Sequence, residues 1–468
     1  MFKIRLSYLA VFLSLISLLS FFNILYSYYF NLYLNLNTYI YTLIISIFFS
    51  FLFFIIKSPK KKPSIFDKIL TITFGYIFIP VILSIPFYFS IYNLTFLNAL
   101  FESVSGFTST GFSVFNNVKH IDQSLIMWRS STQWIGGLYF LFSIIFLIDI
   151  YDASLKRSLT NFISFNNSEI IKQTVKIFIL YFLLTILIFI ILEIIGLRTF
   201  DSLNLAMTLI SSGGFLPFND ISLVLNTNLK IIIFSFLMLI SFFSIFFIYN
   251  LIFFRNREKN FFYEDYNLLV YLVILLLTFF LFFSYNNDFI NLVFLIFSSI
   301  SNIGISLGYD YDNLHFIFLL LVIIGGSFFS TSSGLRFIRI SSLVKFSFNQ
   351  ILSFSKPRNI FMNRLLFSKI NIETNEINKY FLSIIIFLIS LFVLTSLITF
   401  SGIDFESSLK VSILTLMNTV NSSTYGINEF DFQNIHFFSK YSLILFMIVG
   451  RIELLTLLLI IKKYLFKN

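Results

Sequence analysis

The 468-residue chain has no cysteine, which excludes disulfides and thiolate metal sites. Its three histidines, His120, His315 and His436, stand far apart and form no metal-binding motif. Charged residues make up only 12% of the sequence, against roughly 25% in an ordinary soluble chain. No nucleophile–base set or nucleotide-binding loop is present, nor the clustered carboxylates, histidines or serines near an interface that a lipid-acting membrane enzyme needs. Ala, Gly and Pro are outweighed by Phe, Ile, Asn, Lys and Tyr. That skew reads as the codon bias of an AT-rich genome, in which Phe and Ser stand where smaller residues are usual.

What the chain does have is apolar runs of about 20 residues, repeated along its length, each enough to cross roughly 30 Å of hydrocarbon. It reads as a polytopic, all-α membrane protein. The opening "MFKIR" and the run to Phe30 suit a retained helix better than a signal peptide. The run exceeds a typical h-region, and no A-x-A-like cleavage site follows.

Helices are expected near 6–30, 38–56, 68–92, 124–150, 172–196, 229–254, 266–284, 313–345, 379–400 and 437–463, about ten spans. The last eight fall into pairs, and each pair encloses a shorter apolar segment, too short to span and best read as re-entrant. The chain divides into two additional helices (1–60) and four helix–pore loop–helix units at 61–157, 158–258, 259–375 and 376–468, which can surround one pore.

Basic residues gather at Lys3 and Arg5, in "KSPKKKPSIFDK", at Lys156, Arg157, Lys172 and Lys176, in "RNREK", across 345–379 and in the terminal "KKYLFKN". With ten spans all of these lie on one side, which the positive-inside rule makes cytoplasmic, both termini included. The opposite loops carry Asp122, Asp220, Asp310, Asp312, Glu429 and Asp431. The net charge of +10 is thus a topology signal, and no nucleic-acid partner is implied.

The four inner segments read "TFLNALFESVSGFTSTG", "TFDSLNLAMTLISSGG", "DFINLVFLIFSSISNIG" and "DFESSLKVSILTLMNTV". Each opens on Thr or Asp before Phe, runs on as an apolar helix and ends in small polar residues. Thr and Asp are good helix N-caps. A repeat at matched positions argues for one architectural unit used four times, where a single break would read equally well as a kink.

Such a unit suits a cation path. Rings of backbone carbonyls replace an ion's hydration shell. Irregular backbone at membrane depth is tolerated only where it lines a wet path or is buried in protein. Glycine adopts the backbone angles that turn carbonyls inward, and Gly111, Gly214 and Gly304 occupy corresponding positions. The C-terminal end of each half-membrane helix, partly negative, would point at the ion.

Two further features stand out. "IIGGSFFSTSSGLRFIRI", 323–340, interrupts a span with glycines and hydroxyls. It reads either as a loop projecting across the pore or as a plain kink or early helix end. In "GRIELLT", Arg451 lies eleven residues from the basic end of its helix, about 16 Å at 1.5 Å per residue. That is long for snorkelling, so it faces the protein interior or a wet cavity. Glu453 points elsewhere around the helix. Either Arg451 tunes ion passage, or it is buried in an ion pair with another helix, from Glu102 or Glu193.

"FESVSGFTSTG", "MWRSSTQWIGG", "GGSFFSTSSGLRFIR" and "GRIELLT" resemble, in order and over nearly the whole chain, the signatures of the Trk/Ktr/HKT superfamily of potassium transporters. The two extra N-terminal helices make the resemblance closest to the TrkH type. It implies potassium uptake, or sometimes sodium, through one pore per subunit in the cytoplasmic (inner) membrane, with no cofactor beyond the transported ion. It implies a homodimer and a cytosolic RCK-type nucleotide-binding regulatory subunit, TrkA-like or KtrA-like. Its selectivity filter maps onto Ser109, Thr110 and Gly111, Ser212, Gly213 and Gly214, Asn302, Ile303 and Gly304, and Asn418, Thr419 and Val420. Its gate maps onto Gly325, Gly326, Ser330, Thr331, Gly334 and Arg451.

Three positions depart from the family pattern. Val420 stands where the fourth glycine is expected, and a strained carbonyl is costly for Val; a shift to Gly426 would disagree with the repeat spacing. Phe328 and Phe329 replace small residues in the gating loop, and either make the constriction more hydrophobic or pack it differently. The Ser-Gly-Gly of the second segment leaves its register open by one residue. Val420 keeps a sodium-permeable or poorly selective transporter of the same fold as the alternative.

Overall fold

The computed structural model describes residues 4–56, 63–147, 170–252, 262–283, 288–308, 311–354, 365–368, 374–427 and 430–452. Expectations for the lysines of 57–62, for Lys156, Arg157, the side chain of Lys172, "RNREK", Asp310, Glu429, Glu453 and the terminal basic run lie outside the described residues.

Among the described residues the chain is all-α apart from one pair of two-residue strands. The helices are α1 (Leu6–Tyr29), α2 (Leu36–Ile55), α3 (Ile65–Leu83), α4 (Ile85–Tyr88), α5 (Phe96–Phe107), α6 (Gln123–Phe146), α7 (Ile170–Ile194), α8 (Thr199–Ile210) and α9 (Asn228–Phe242). They continue as α10 (Ile245–Ile252), α11 (Tyr263–Phe283), α12 (Phe289–Ile300), α13 (His315–Ile323), α14 (Phe337–Ser353), α15 (Thr374–Thr399), α16 (Phe405–Leu416) and α17 (Phe437–Ile452). Strands β1 (Ile324–Gly325) and β2 (Leu335–Arg336) pair in parallel.

Among the described residues six helical stretches are long and apolar enough to cross a membrane: 6–29, 36–55, 65–88, 173–194, 263–283 and 374–399. Their outward faces carry exposed Phe, Ile and Leu, as in α2 and α11, the surface that hydrocarbon rather than water would cover. By contrast α6 is buried from Ser124 to Phe146 and is a central helix. Helix α1, paired with α2, packs against it through Phe12 on Tyr139 and Phe142 and Tyr8 on Phe146, and α2 reaches it through Tyr39 on Trp128.

The inner segments are four helices of equal length, α5, α8, α12 and α16, each 12 residues. At 1.5 Å per residue that is about 18 Å, little over half the hydrocarbon thickness. Two of the four expected caps form: Thr95 accepts from Asn98 N–H and Asp404 from Ser407 N–H. Asp288 sits at its N-cap without a side-chain bond, and Thr199 is already inside α8, behind Arg198.

Two expected spans differ from the sequence reading. The helix expected over 68–92 stops at Leu83 and restarts at Ile85, because Pro80 and Pro86 each remove a helical N–H donor. The carbonyl of Leu83 instead accepts from Trp128 Nε1 at 3.1 Å. The helix expected to run unbroken over 229–254 breaks between Phe242 and Ile245. No Pro or Gly marks that break; its cause is tertiary. The break freed backbone groups that the 324–336 segment satisfies. Ser327 N–H donates to Phe242 O and Ser332 N–H to Ser241 O, both at 3.0 Å, while Ile245 N–H donates to Phe329 O at 3.1 Å. Two carboxylates of α11 complete the set. Asp265 accepts from Ser244 N–H and Glu264 from Phe328 N–H, each at 2.9 Å. Irregular backbone at membrane depth is stable only when its polar groups are satisfied in this way. The two broken helices therefore interlock, each closing the other's open hydrogen bonds.

Candidate functional site

The four short helices end alike. Ser109, Ser212, Asn302 and Asn418 have φ of 57°, 56°, 59° and 47°, the left-handed region. Each donates its N–H three residues back, to Gly106, Leu209, Ser299 and Thr415 O. The next residue, Thr110, Gly213, Ile303 or Thr419, donates five back, to Ser105, Thr208, Ser298 or Leu414 O, at 2.9–3.1 Å. This is a Schellman termination, which reverses the chain while satisfying the last carbonyls. Glycine usually holds the left-handed position; Asn tolerates it and Ser less so. The sequence reading placed the turn at the glycines two residues later. There the left-handed geometry recurs at Gly111 (78°) and Gly304 (76°) but not at Gly214 or Val420. Val420 consequently bears none of the backbone strain expected of it.

The matching terminations fix the register of the second segment: Ser212, Gly213 and Gly214 correspond to Ser109, Thr110 and Gly111. Gly426, at φ 67°, lies instead beside His315 and Lys410. Val420 is the fourth partner of Gly111, Gly214 and Gly304, since a Cβ built on any of the three would meet Val420 within 2.6–2.9 Å.

Side chains link the four turns in an open circuit, second to third to fourth to first. Ser212 Oγ donates to Ser301 O. Asn302 Nδ2 donates to Thr419 Oγ1 at 3.2 Å, and Asn418 Nδ2 to Thr110 Oγ1 at 2.9 Å. Beside the second turn Gln133, on α6, accepts from Phe215 N–H at 3.3 Å, and its buried Nε2 has no hydrogen-bond partner among the described residues. Two glycines let second helices press against short-helix ends: a Cβ at Gly136 would lie 1.9 Å from Phe107 O, and one at Gly450 2.4 Å from Leu416 O.

Above the circuit opens a cavity of about 820 Å³, with Gly111, Gly214, Gly304 and Val420 on its wall together with Asp220 and Asp431. Arg129 also lines it, neutralised by Glu102 at 2.8 Å, with Phe215 and Phe115 against its guanidinium. Glu102 additionally accepts from Val114 N–H at 2.9 Å and Ser113 Oγ at 3.1 Å. Among the described residues no group of three or more His, Asp or Glu side chains converges as a metal site. The oxygens gathered at the circuit are backbone carbonyls, hydroxyls and the side-chain amide oxygens of Gln133, Asn302 and Asn418.

On the other face of the circuit lies Arg451, only 1% exposed. Its guanidinium rests 4.0 Å from the centroid of Phe140, donates to Ser333 Oγ, and reaches Ser109 Oγ at 3.4 Å and Ser211 O at 3.5 Å. No carboxylate among the described residues pairs with it, so the ion pair with Glu102 or Glu193 does not form; Glu102 belongs to Arg129. Ser333 is in the 326–334 loop, whose ends are clamped by the β1–β2 pair. Within that loop Ser330 Oγ lies 2.9 Å from Ser332 Oγ, and Thr331 Oγ1 donates to Ile210 O at 2.7 Å. Gly326 N–H donates to Ser332 Oγ, and a Cβ at Gly325 would lie 2.2 Å from Ser333 O, against the Gly334 turn. Phe328 and Phe329 are buried, Phe329 against Phe246 of α10, so they pack the loop onto its neighbour. Arg336 holds the loop from inside, donating to Ser327 O and Ser332 O at 3.1 Å.

Sequence reasoning missed Gln133, Arg336, Glu264 and Asp265. Two adjacent acids at the head of an apolar run were the one available signal for the last two.

The family model described as TrkH, cation transport protein, matches residues 35–265. The chain is 25% identical over 411 residues to an uncharacterized cation transporter of Methanocaldococcus jannaschii, covering 82% of this chain and 80% of that protein. It is 25% identical over 430 residues to the Trk system potassium uptake protein TrkG of Escherichia coli, covering 86% of each, and 24% identical over 402 residues to TrkH of the same organism, covering 81% of each. The crystal structure of the potassium transporter TrkH from Vibrio parahaemolyticus superposes with a TM-score of 0.82 over 97% of both chains, at 19% identity.

Proposed function

This chain belongs to the TrkH family of cation transport proteins, and from that premise we propose that it is the pore subunit of a potassium-uptake system. It is a multi-pass membrane transport protein and not an enzyme. The reading is carried by the four matched helix ends, linked in series by side chains and gathering polar oxygens at the bottom of a cavity lined by Asp220 and Asp431. Carbonyl rings exchange for an ion's water, and the partly negative helix ends favour a cation between them. The filter comprises residues 109–111, 212–214, 302–304 and 418–420. The gate comprises the Gly325–Gly334 loop and Arg451, which stands between that loop and the filter. Potassium is cargo, driven inward by the membrane potential, and no cofactor is needed.

The same reading puts the protein in the cytoplasmic membrane with both termini inside, as a homodimer above an RCK-type regulatory subunit. Its four units follow the 61–157, 158–258, 259–375 and 376–468 division. A sodium-permeable, poorly selective pore is the second reading, favoured by Val420 in place of a fourth glycine.

The test is expression with its regulatory partner in a bacterium lacking potassium uptake, alongside ion flux into liposomes. Growth at low potassium and potassium flux are expected. No rescue together with no flux sinks the transport reading. Sodium flux equal to potassium flux selects the second one. Gly111→Ser is expected to change the potassium/sodium ratio.

A further inference from the structure

Four residues meet at the outer level of the circuit, and only one of them carries a side chain. A Cβ built on Gly111 would lie 2.9 Å from Val420 Cγ2, one on Gly214 2.6 Å from Val420 Cβ, and one on Gly304 2.9 Å from Val420 Cγ1. The two methyls of Val420 are therefore directed at two different repeats while its Cβ faces the third. The three glycines are buried, whereas Val420 keeps partial exposure, and all four border the same cavity. The isopropyl group thus stands at the cavity's lower end, in the space the three glycines leave open. Its backbone is not left-handed, so nothing local forces it elsewhere, and a β-branched side chain has little χ1 freedom to swing away.

We propose that the Val420 side chain is an apolar cap over the filter, and that it limits the rate at which cations enter. This rests on the pore reading given above. The physical reason is that an isopropyl group cannot replace the water an ion sheds. A cation passing it loses hydration without gaining an oxygen ligand, and apolar constrictions impede ions in this way. The carbonyl layer just below, shared by residues 110, 213, 303 and 419, is unaffected by the substitution. The cap would lower throughput while leaving the selective layer in place.

The experiment is potassium flux into liposomes by purified full-length wild type, Val420→Gly, Val420→Ala and Val420→Ile, each eluting as the wild type does in gel filtration. Flux is expected to rise about tenfold in Val420→Gly, equivalent to about 1.4 kcal/mol of barrier. Val420→Ala should fall between, and Val420→Ile below the wild type. If Val420→Gly does not fold, Val420→Ala carries the test. Wild-type flux that neither smaller side chain raises beyond twofold overturns the cap. Absence of potassium and sodium flux from every form overturns the pore reading itself, which is a distinguishable failure.

Discussion

Arg451 donates a hydrogen bond to Ser333, 118 positions earlier in the chain. With it, one guanidinium touches the 326–334 loop, the end of the first short helix at Ser109 and the end of the second at Ser211. On the proposed ion path a buried cation opposes other cations, and the low dielectric strengthens the effect. Arg451→Ala is expected to raise potassium flux by about tenfold, or roughly 1.4 kcal/mol of barrier. Arg451→Lys keeps the charge and should stay within a few-fold of the wild type. Liposome flux of the two variants decides it. Equal flux in Arg451→Ala and wild type would remove Arg451 from the gate.

The Glu102–Arg129 pair behaves differently, because both partners are buried and tied to the 113–114 turn. Removing one partner leaves an uncompensated buried charge, at a cost of about 3–5 kcal/mol. Glu102→Ala should therefore lower the thermal unfolding temperature in detergent markedly. The double variant Glu102→Ala, Arg129→Ala, compared with each of its singles, should recover part of the loss. A double variant as unstable as the sum of the singles would show that the pair is not coupled.

Glu264 and Asp265 hold the loop and the α9–α10 break through single backbone bonds. Asp265→Ala strands the Ser244 N–H and should cost about 1–3 kcal/mol, whereas Asp265→Asn retains an acceptor and should cost less. Glu264→Ala should speed hydrogen–deuterium exchange within 326–334 while leaving the proposed filter residues 109–111 protected. Unchanged exchange in the loop would rule out the anchoring role.

Asp404 gives a pH-dependent contribution. Its carboxylate accepts from Ser407 N–H at 2.8 Å, which holds its pKa below the ordinary carboxylate value. A lowered folded pKa means the cap is fully present above the unfolded value of about 3.9. The contribution fades as pH falls through the lower folded value. The group is exposed, so the effect is small. Unfolding temperatures from pH 7 to pH 3 should converge for wild type and Asp404→Ala at the acid end. A constant difference across that range would exclude the charged cap.

Much of this was legible because it depends on local chemistry. Thr95 and Asp404 cap their helices as their side chains suggest, while Thr199 and Asp288 do not. The same residue type therefore signals a helix start without guaranteeing the bond. The 323–340 interruption carries glycines and appears as a break; the one at Phe243 carries none and was invisible. It exists because the incoming loop supplies the donors and acceptors that the helix gives up. Likewise Val420 read as a strained glycine replacement. Its actual character, an unstrained side chain among three glycines, needed three other repeats to be brought beside it.

The sequence by itself determined that the chain is a helical membrane protein with four short helices at matched spacing. Hydrophobic run length and helix-ending residues act within one segment, and the sequence records them directly. Only the tertiary structure decided that Asn418 bonds to Thr110, that Gln133 accepts from Phe215, and that Arg451 sits against Ser333. These contacts join residues up to 308 positions apart. No local propensity encodes them, because each depends on burying polar groups where only another repeat can satisfy them.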